Sequence, residues 1–505
     1  MAGPARWILP CAFLAAVACV PHGLVGGQQA ITNRDGGVYI AEDGAVLPID
    51  SGVPPDHDGG PPRDAGPRAD GGPPRDAGPW TPPTGGAEGS LGAFPGAQGF
   101  GTETVGGRGG QVLHVTTLNW DGPGSFSEAL YTPGARIIVF EVSGVIDVPD
   151  VGREMGPEHS FLTIAGQTSP GGITFRGNGV GGPTLFFYAP QAPDDRKLHD
   201  VIVRFVRFRG HGNTDNVTIA GAHHLVFDHC DFSGADDEAL DITYAHDVTI
   251  SWSTVANSGP GSHYGFLFAY APSTRFSYHH NLSANHANRC GANIHWDEGG
   301  PPAEGVDLDI RNNVLHNCGN ESFFHLWTGD WSPGTVRANF VGNTMSEGPN
   351  THNGSVAMFG LDRPVAVFAD DNSYPGYPLH PDWGNPELVG AAHPMAPVDT
   401  APHAEAYERV LARAGAWPRD AMNVRTVGQV RSGEGGYGLV NDPVIESGPA
   451  PPADVDRDGM PDAWEEMNGL VVGTDDSAGD LDDDGWTNIE EYLEARAQSL
   501  IGVTP

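Results

Sequence analysis

Asp215, Asp237, Asp241 and Arg289 stand at recurring places in a run of strand-like segments, each about one repeat further along the chain. Carboxylates on adjacent repeats supply the oxygen ligands that a hard divalent cation requires. Their spacing therefore predicts a calcium ion on the flank of a stacked β-coil. A guanidinium carries only donors and cannot ligate a metal, so Arg289 is expected to act on a bound substrate. Together these residues imply metal-assisted attack on an acidic polymer. Taken singly, an aspartate beside a strand turn is usually a turn former, and an arginine after a strand is usually solvated or ion-paired. Asp237 and Asp241 on one repeat, with Asp236 and Glu238 alongside, shift the reading toward function.

A second acidic pattern lies near the C-terminus. Asp454, Asp456, Asp458 and Gly459, with Asp462 and Glu465, fill the ligand and turn positions of a twelve-residue calcium loop. Asp480, Asp482, Asp484 and Gly485, with Asn488 and Glu491, fill them again. In such a loop alternating oxygens wrap one ion, glycine permits the sharp turn, and the last glutamate can bind with both oxygens. The competing reading is a merely acidic tail, which two full matches so close together disfavour. Pro451 and Pro452 precede the first loop, so a full entering helix is not expected there. The pattern reads as a structural, extracellular EF-hand-like or dockerin-like calcium module over 451–505.

The elements that must position the first group are short alternating strands. Segments beginning at Val201, Leu225, Val248, Arg275, Val306 and Val336 recur about every 22 to 33 residues. No such strand can bury its apolar face alone, so neighbours must stack. Asn281, Asn313 and Asn343 follow successive strands, where stacked amides could ladder at a bend. A parallel β-helix over 89–450 fits better than a sandwich, whose turns would come more often. Ala404–Leu411 reads as a short amphipathic helix. Cys290 and Cys318 are about one coil apart and could bridge, whereas Cys230 reads as a buried, inert thiol. His279, His280 and Asp228 read as stacking and hydrogen-bonding residues.

The chain has 505 residues, 72 glycines, 44 prolines and a formal net charge of −38. Such acidity repels nucleic acid and anionic membranes and excludes a DNA-binding role. Residues 1–18 carry one basic residue, an apolar run too short to span a bilayer, and a small-residue cleavage site at Ala16-Val17-Ala18. They read as an export signal. Cys19 directly after it resembles a bacterial lipoprotein box, so a secreted or lipid-anchored bacterial surface protein is expected. Residues 19–88 are a Pro/Gly/Asp-rich tether with almost nothing to bury.

Ala93-Phe94-Pro95-Gly96-Ala97-Gln98-Gly99-Phe100-Gly101 and Gly106-Gly107-Arg108-Gly109-Gly110 resemble the opening of bacterial pectate lyases of polysaccharide lyase family 1. Asp121–Ser125, Arg136–Gly144, Thr163–Thr168, Phe227–Cys230, His279-His280-Asn281 and Pro418–Ala421 with Arg425 continue the match in order. The resemblance spans about residues 90 to 435 and implies an all-β, right-handed parallel β-helix that cleaves polygalacturonate by calcium-assisted β-elimination. It places the family's calcium ligands on Asp215, Asp237 and Asp241 and its catalytic arginine on Arg289. His263 stands where the family has a lysine that grips a substrate carboxylate, and so takes a substrate-binding and catalytic role. The Pro-Arg that follows the family's catalytic arginine is replaced here by Cys290-Gly291-Ala292-Asn293. The expected partner is an acidic plant-type polysaccharide, pectate or pectin, met by a monomer. Two other readings stand beside it. One is a β-helical polygalacturonase-type hydrolase, to which Asn213-Thr214-Asp215, Asp236-Asp237 and His263 loosely conform. The other is a β-helix that binds polysaccharide without turning it over.

Overall fold

Alternation of apolar and polar residues along each segment puts one face inward, and the computed structural model stacks those faces into a parallel β-solenoid. It describes residues 91–502 apart from 150–154, 178–184, 189–192, 211–214, 260–263, 271–272, 296–304, 320–323, 328–335, 352–358, 362–364, 375–386 and 439. The expected signal, Cys19, the 19–88 tether and His263 lie outside the described residues. Among the described residues, the coil is built of three all-parallel sheets of 11, 8 and 7 strands. One turn of the coil visits each sheet once: Ala222–Asp228, Asp231–Ser233, Glu238–Thr243. His246–Ser251 then returns beside Ala222–Asp228.

Register makes the core a set of columns. Val201, Leu225, Val248, Phe276, Leu308 and Ala338 stand one above another in the first sheet, all buried. Each large side chain in such a column contributes roughly 1.5–3 kcal/mol by leaving water. Phe205, His229, Trp252 and His280 turn the chain between the first two sheets in the left-handed backbone region. Their rings stack on successive coils at centroid distances of 4.8, 5.9 and 4.3 Å, which confirms a structural role for His280. Asp228 bonds Arg204, His229 and Ser251, again as expected.

The asparagine ladder forms. Asn281 Nδ2 donates to Asn313 Oδ1 at 3.2 Å, Asn313 to Asn343 at 2.9 Å, and Asn343 to Asn372 at 2.9 Å. A second ladder, Asn257–Asn285–Asn317–Asn350, was not anticipated. Asn257, Asn285 and Asn317 turn the chain in the left-handed backbone region at or near the ends of second-sheet strands, positions that the strand repeat does not single out. Cys290 and Cys318 form a disulfide, and Cys230 is a buried free thiol.

Five α-helices decorate the described coil. Helix α1 (Phe126–Leu130) inserts Phe126 against Phe140 and Phe175 near the N-terminal end. Helix α2 (His403–Arg413) covers and extends the helix expected at Ala404–Leu411. Helix α3 (Ala421–Ser432) follows and is capped by Asp420, whose carboxylate also takes Arg209 Nη2 at 2.7 Å. The sequence alone gives α3 little amphipathic pattern, and the buried Asp420–Arg209 pair helps dock it. Helices α4 (Asp462–Asn468) and α5 (Asn488–Leu500) each follow one acidic loop.

These last two helices do not hang from the coil as an appendage. Met460, Ile489, Tyr492 and Leu493 pack on Ile137, Val139 and Ala165, on the outer face of the first sheet. A buried Arg108–Glu490 pair and an Arg204–Glu494 pair flank that contact.

Candidate functional site

Asp215 lies two residues before the strand Val217–Ala220, and Asp237 directly precedes Glu238, the first residue of the strand Glu238–Thr243 on the next coil. The two strands pair in parallel. Local hydrogen bonds fix the first carboxylate: Thr218 Oγ1 donates to Asp215 Oδ2 at 2.6 Å, and the Glu238 N–H donates to Asp215 Oδ1 at 3.1 Å. The outcome is a partly buried trio in which Asp215, Asp237 and Glu238 each offer an oxygen within 4.8 Å of the others. Asp241 lies further along the same strand, opposite Thr218, and is not a member of that trio. Glu238, passed over as a ligand in the sequence, takes the closer place. Its only sequence signal was adjacency to Asp237.

Arg289 comes from the following coils. It opens Asn288–His295, which pairs with Tyr264–Ala269 through a register shift: Tyr264 faces Asn288, but Phe266 faces Ala292. Extra residues in one strand re-aim side chains, and Arg289 sits in this irregularity with φ 53°. Only a glycine tolerates the resulting approach, since a Cβ on Gly265 would stand 2.2 Å from the Arg289 carbonyl oxygen. The guanidinium pairs with Glu238 and lies 4.3 Å from the ring centre of Tyr264. The disulfide at Cys290 anchors the chain directly after it. Asp215, Asp237, Glu238 and Arg289 thus share one flank of the coil.

Three carboxylates this close repel one another, and the Arg289 guanidinium pairs with one of them, Glu238. A divalent cation resolves such an imbalance, and an all-oxygen donor set suits calcium.

The C-terminal loops share one hydrogen-bond skeleton. Asp454 accepts from the N–H groups of Asp458 and Gly459, as Asp480 does from Asp484 and Gly485. Asp462 Oδ1 accepts from Val455 N–H, and Asn488 Oδ1 from Leu481 N–H. Gly459 and Gly485 turn at φ 92° and 99°. Asp454, Asp456 and Asp458 form one oxygen trio, and Asp480, Asp482 and Asp484 another. In the first loop both carboxylate oxygens of Asp456 and of Glu465 are buried with no hydrogen-bond partner, as is Asp458 Oδ2. Burial, reinforced by neighbouring carboxylates, pushes Asp458 and Glu465 up to about 7. Burial and the same kind of crowding raise Glu491. Oxygens held in this way fit a calcium ion.

No protein-family model matches the chain. Among curated proteins it is 32% identical over 438 residues to probable pectate lyase C of Aspergillus fumigatus, covering 82% of this chain and 95% of that protein. The same protein of Aspergillus terreus is 32% identical over 445 residues, with 81% and 94% covered. Among solved structures, the pectate lyase Bsp165PelA of Bacillus sp. N165, in complex with trigalacturonate, aligns at 14% identity and TM-score 0.35, over 64% of this chain and 99% of that one. The relatives by sequence are fungal, which overturns the expectation of a bacterial surface lipoprotein.

Proposed function

Since the chain belongs to the pectate lyase family and acts as a lyase on polygalacturonate, we propose that the cleavage is a calcium-assisted β-elimination at the flank carrying Asp215, Asp237, Glu238 and Arg289. Family membership decides among the three readings that the sequence left open. In this reaction the C–H bond alpha to the uronate carboxylate breaks and its electron pair becomes a C=C bond. The glycosidic oxygen at the β carbon then leaves and takes up a proton. Asp215, Asp237 and Glu238 would hold the calcium, with Asp241 beside them. Bound there, calcium supplies the positive charge that neutralises the substrate carboxylate and acidifies the alpha proton.

Arg289 is the residue we assign to the proton. An arginine is an awkward base because its pKa lies above ~12 and almost none of it is deprotonated near neutrality, so activity should rise toward alkaline pH as that fraction grows. Glu238 and the face of Tyr264 hold the guanidinium in place, and a fixed orientation is worth much of a barrier. His263, outside the described residues, keeps the role of meeting a substrate carboxylate, partly charged near neutrality. A net charge of −38 makes these local cations necessary for binding any acidic polymer. The two C-terminal loops, in the same proposal, bind calcium structurally.

The observation that carries the proposal is the Arg289–Glu238 pair against a carboxylate trio drawn from neighbouring coils. The test is ultraviolet detection of unsaturated product from polygalacturonate, with calcium or with EDTA, for the native chain and Arg289→Lys across pH. Calcium-dependent unsaturated product that Arg289→Lys abolishes is expected. Saturated reducing ends with no calcium requirement, or an unaffected variant, would remove the mechanism.

A further inference from the structure

The linker between the two acidic loops brings a carboxylate to the first of them. Asp476 offers an oxygen within 4.8 Å of oxygens from both Asp458 and Glu465. Neither of those belongs to the surface: Asp458 is 1% exposed and Glu465 0%. Both Glu465 oxygens are buried without a hydrogen-bond partner, and Asp458 Oδ2 and Asp476 Oδ1 are likewise buried and unbonded. Anionic oxygens buried together with no donor between them are unstable unless a cation joins them.

We propose that Asp476 is a ligand of the first-loop calcium ion, reaching it from outside the twelve-residue loop. This rests on the calcium reading of that loop and adds a ligand that the loop pattern does not contain. Calcium takes six to eight oxygens. Asp462, at the loop's ninth position, receives the Val455 N–H at 2.9 Å, and Asp476 adds a carboxylate oxygen to the set the loop itself supplies. Asp476 is also fastened to the second loop. Its carbonyl oxygen accepts from Asn488 Nδ2 at 2.8 Å, and Asn488 Oδ1 holds Leu481 N–H at 3.0 Å. One linker residue therefore touches the first ion through its side chain and the second loop through its backbone. The second loop has no such help, since its trio Asp480, Asp482 and Asp484 is exposed. The first site is accordingly the tighter of the two.

Calorimetric calcium titration of the metal-stripped full chain tests this. Asp476→Asn should weaken the tightest C-terminal site about tenfold or more and leave the Asp480 loop unchanged. In EDTA the same variant should melt at or above the native temperature, because a repelling charge has gone, yet gain less on adding calcium. Asp475→Asn, changing the neighbour that accepts from Ser477 Oγ, should titrate as the native chain. If Asp476→Asn binds like the native chain while Glu465→Gln loses the site, Asp476 is no ligand. Asp476 is excluded too if Asp475→Asn weakens binding equally, since the effect is then mere charge. If Glu465→Gln also titrates normally, the calcium reading of the loop fails first.

Discussion

The flank site and the first C-terminal loop are both carboxylate clusters, built in opposite ways. The loop draws Asp454, Asp456 and Asp458 from five consecutive residues, and backbone N–H groups fold back on Asp454 to set the wrap. The flank site draws Asp215 from one coil, Asp237 and Glu238 from the next, and Arg289 from beyond, so only the stacking register brings them together. A guanidinium balances the flank site in part, while the first loop's buried Asp456 and Glu465 oxygens have no hydrogen-bond donor. The contrast separates two uses of one chemistry. An anionic site with its own fixed cation can receive an anionic substrate beside a metal. A site of buried anions alone can only be filled and made rigid.

Perturbing each region should reveal this difference. The largest effect is expected from Arg289→Ala: turnover should fall by roughly 10²–10⁴-fold with little change in melting temperature, read from unsaturated-product formation and calorimetry. Next, Asp237→Asn should raise the calcium concentration needed for half-maximal activity by about 10–100-fold. Its melting curve in calcium should stay close to native. The loops should behave in the reverse sense. Glu465→Gln should leave kcat nearly native but remove about 3 kcal/mol of calcium-dependent stabilisation, the value for a ligand at a hundred times its Kd. Melting in calcium against EDTA checks it. A loop variant that abolished turnover at saturating calcium would break the comparison.

The smallest expected effect concerns pH and belongs to neither site. Burial, with His224 and His246 nearby, lowers His223 to about 4, and burial lowers His279 to about 4. The folded chain therefore prefers both rings neutral. Below pH ~6.5 the unfolded chain protonates first, so stability is complete above that value and declines as pH falls toward 4. His223→Gln should flatten this decline by a few degrees of melting temperature between pH 7 and 4.

Legibility followed how local each feature is. The strand repeat, the asparagine ladder and the helix at Ala404–Leu411 were readable because their patterns recur at regular intervals along the chain, coil by coil or turn by turn. The two acidic loops were readable because their acidic and turn positions are fixed along twelve residues. Glu238 was missed because lying beside Asp237 says nothing about which carboxylate turns toward Asp215. The approach of Asp476 to Asp458 and Glu465 was not legible because Asp476 lies outside every loop position. Docking of the C-terminal helices on Ile137, Val139 and Ala165 was invisible for the same reason, since their apolar residues name no partner.

By itself the sequence determined the coil, through strands that must stack to bury one face, and the kinds of ligand available, through the placing of its acids. Tertiary structure alone decided which acids meet. A one-residue difference in register or a bulge such as the one at Arg289 redirects a side chain by several ångströms, and a metal site a few ångströms across depends on that direction.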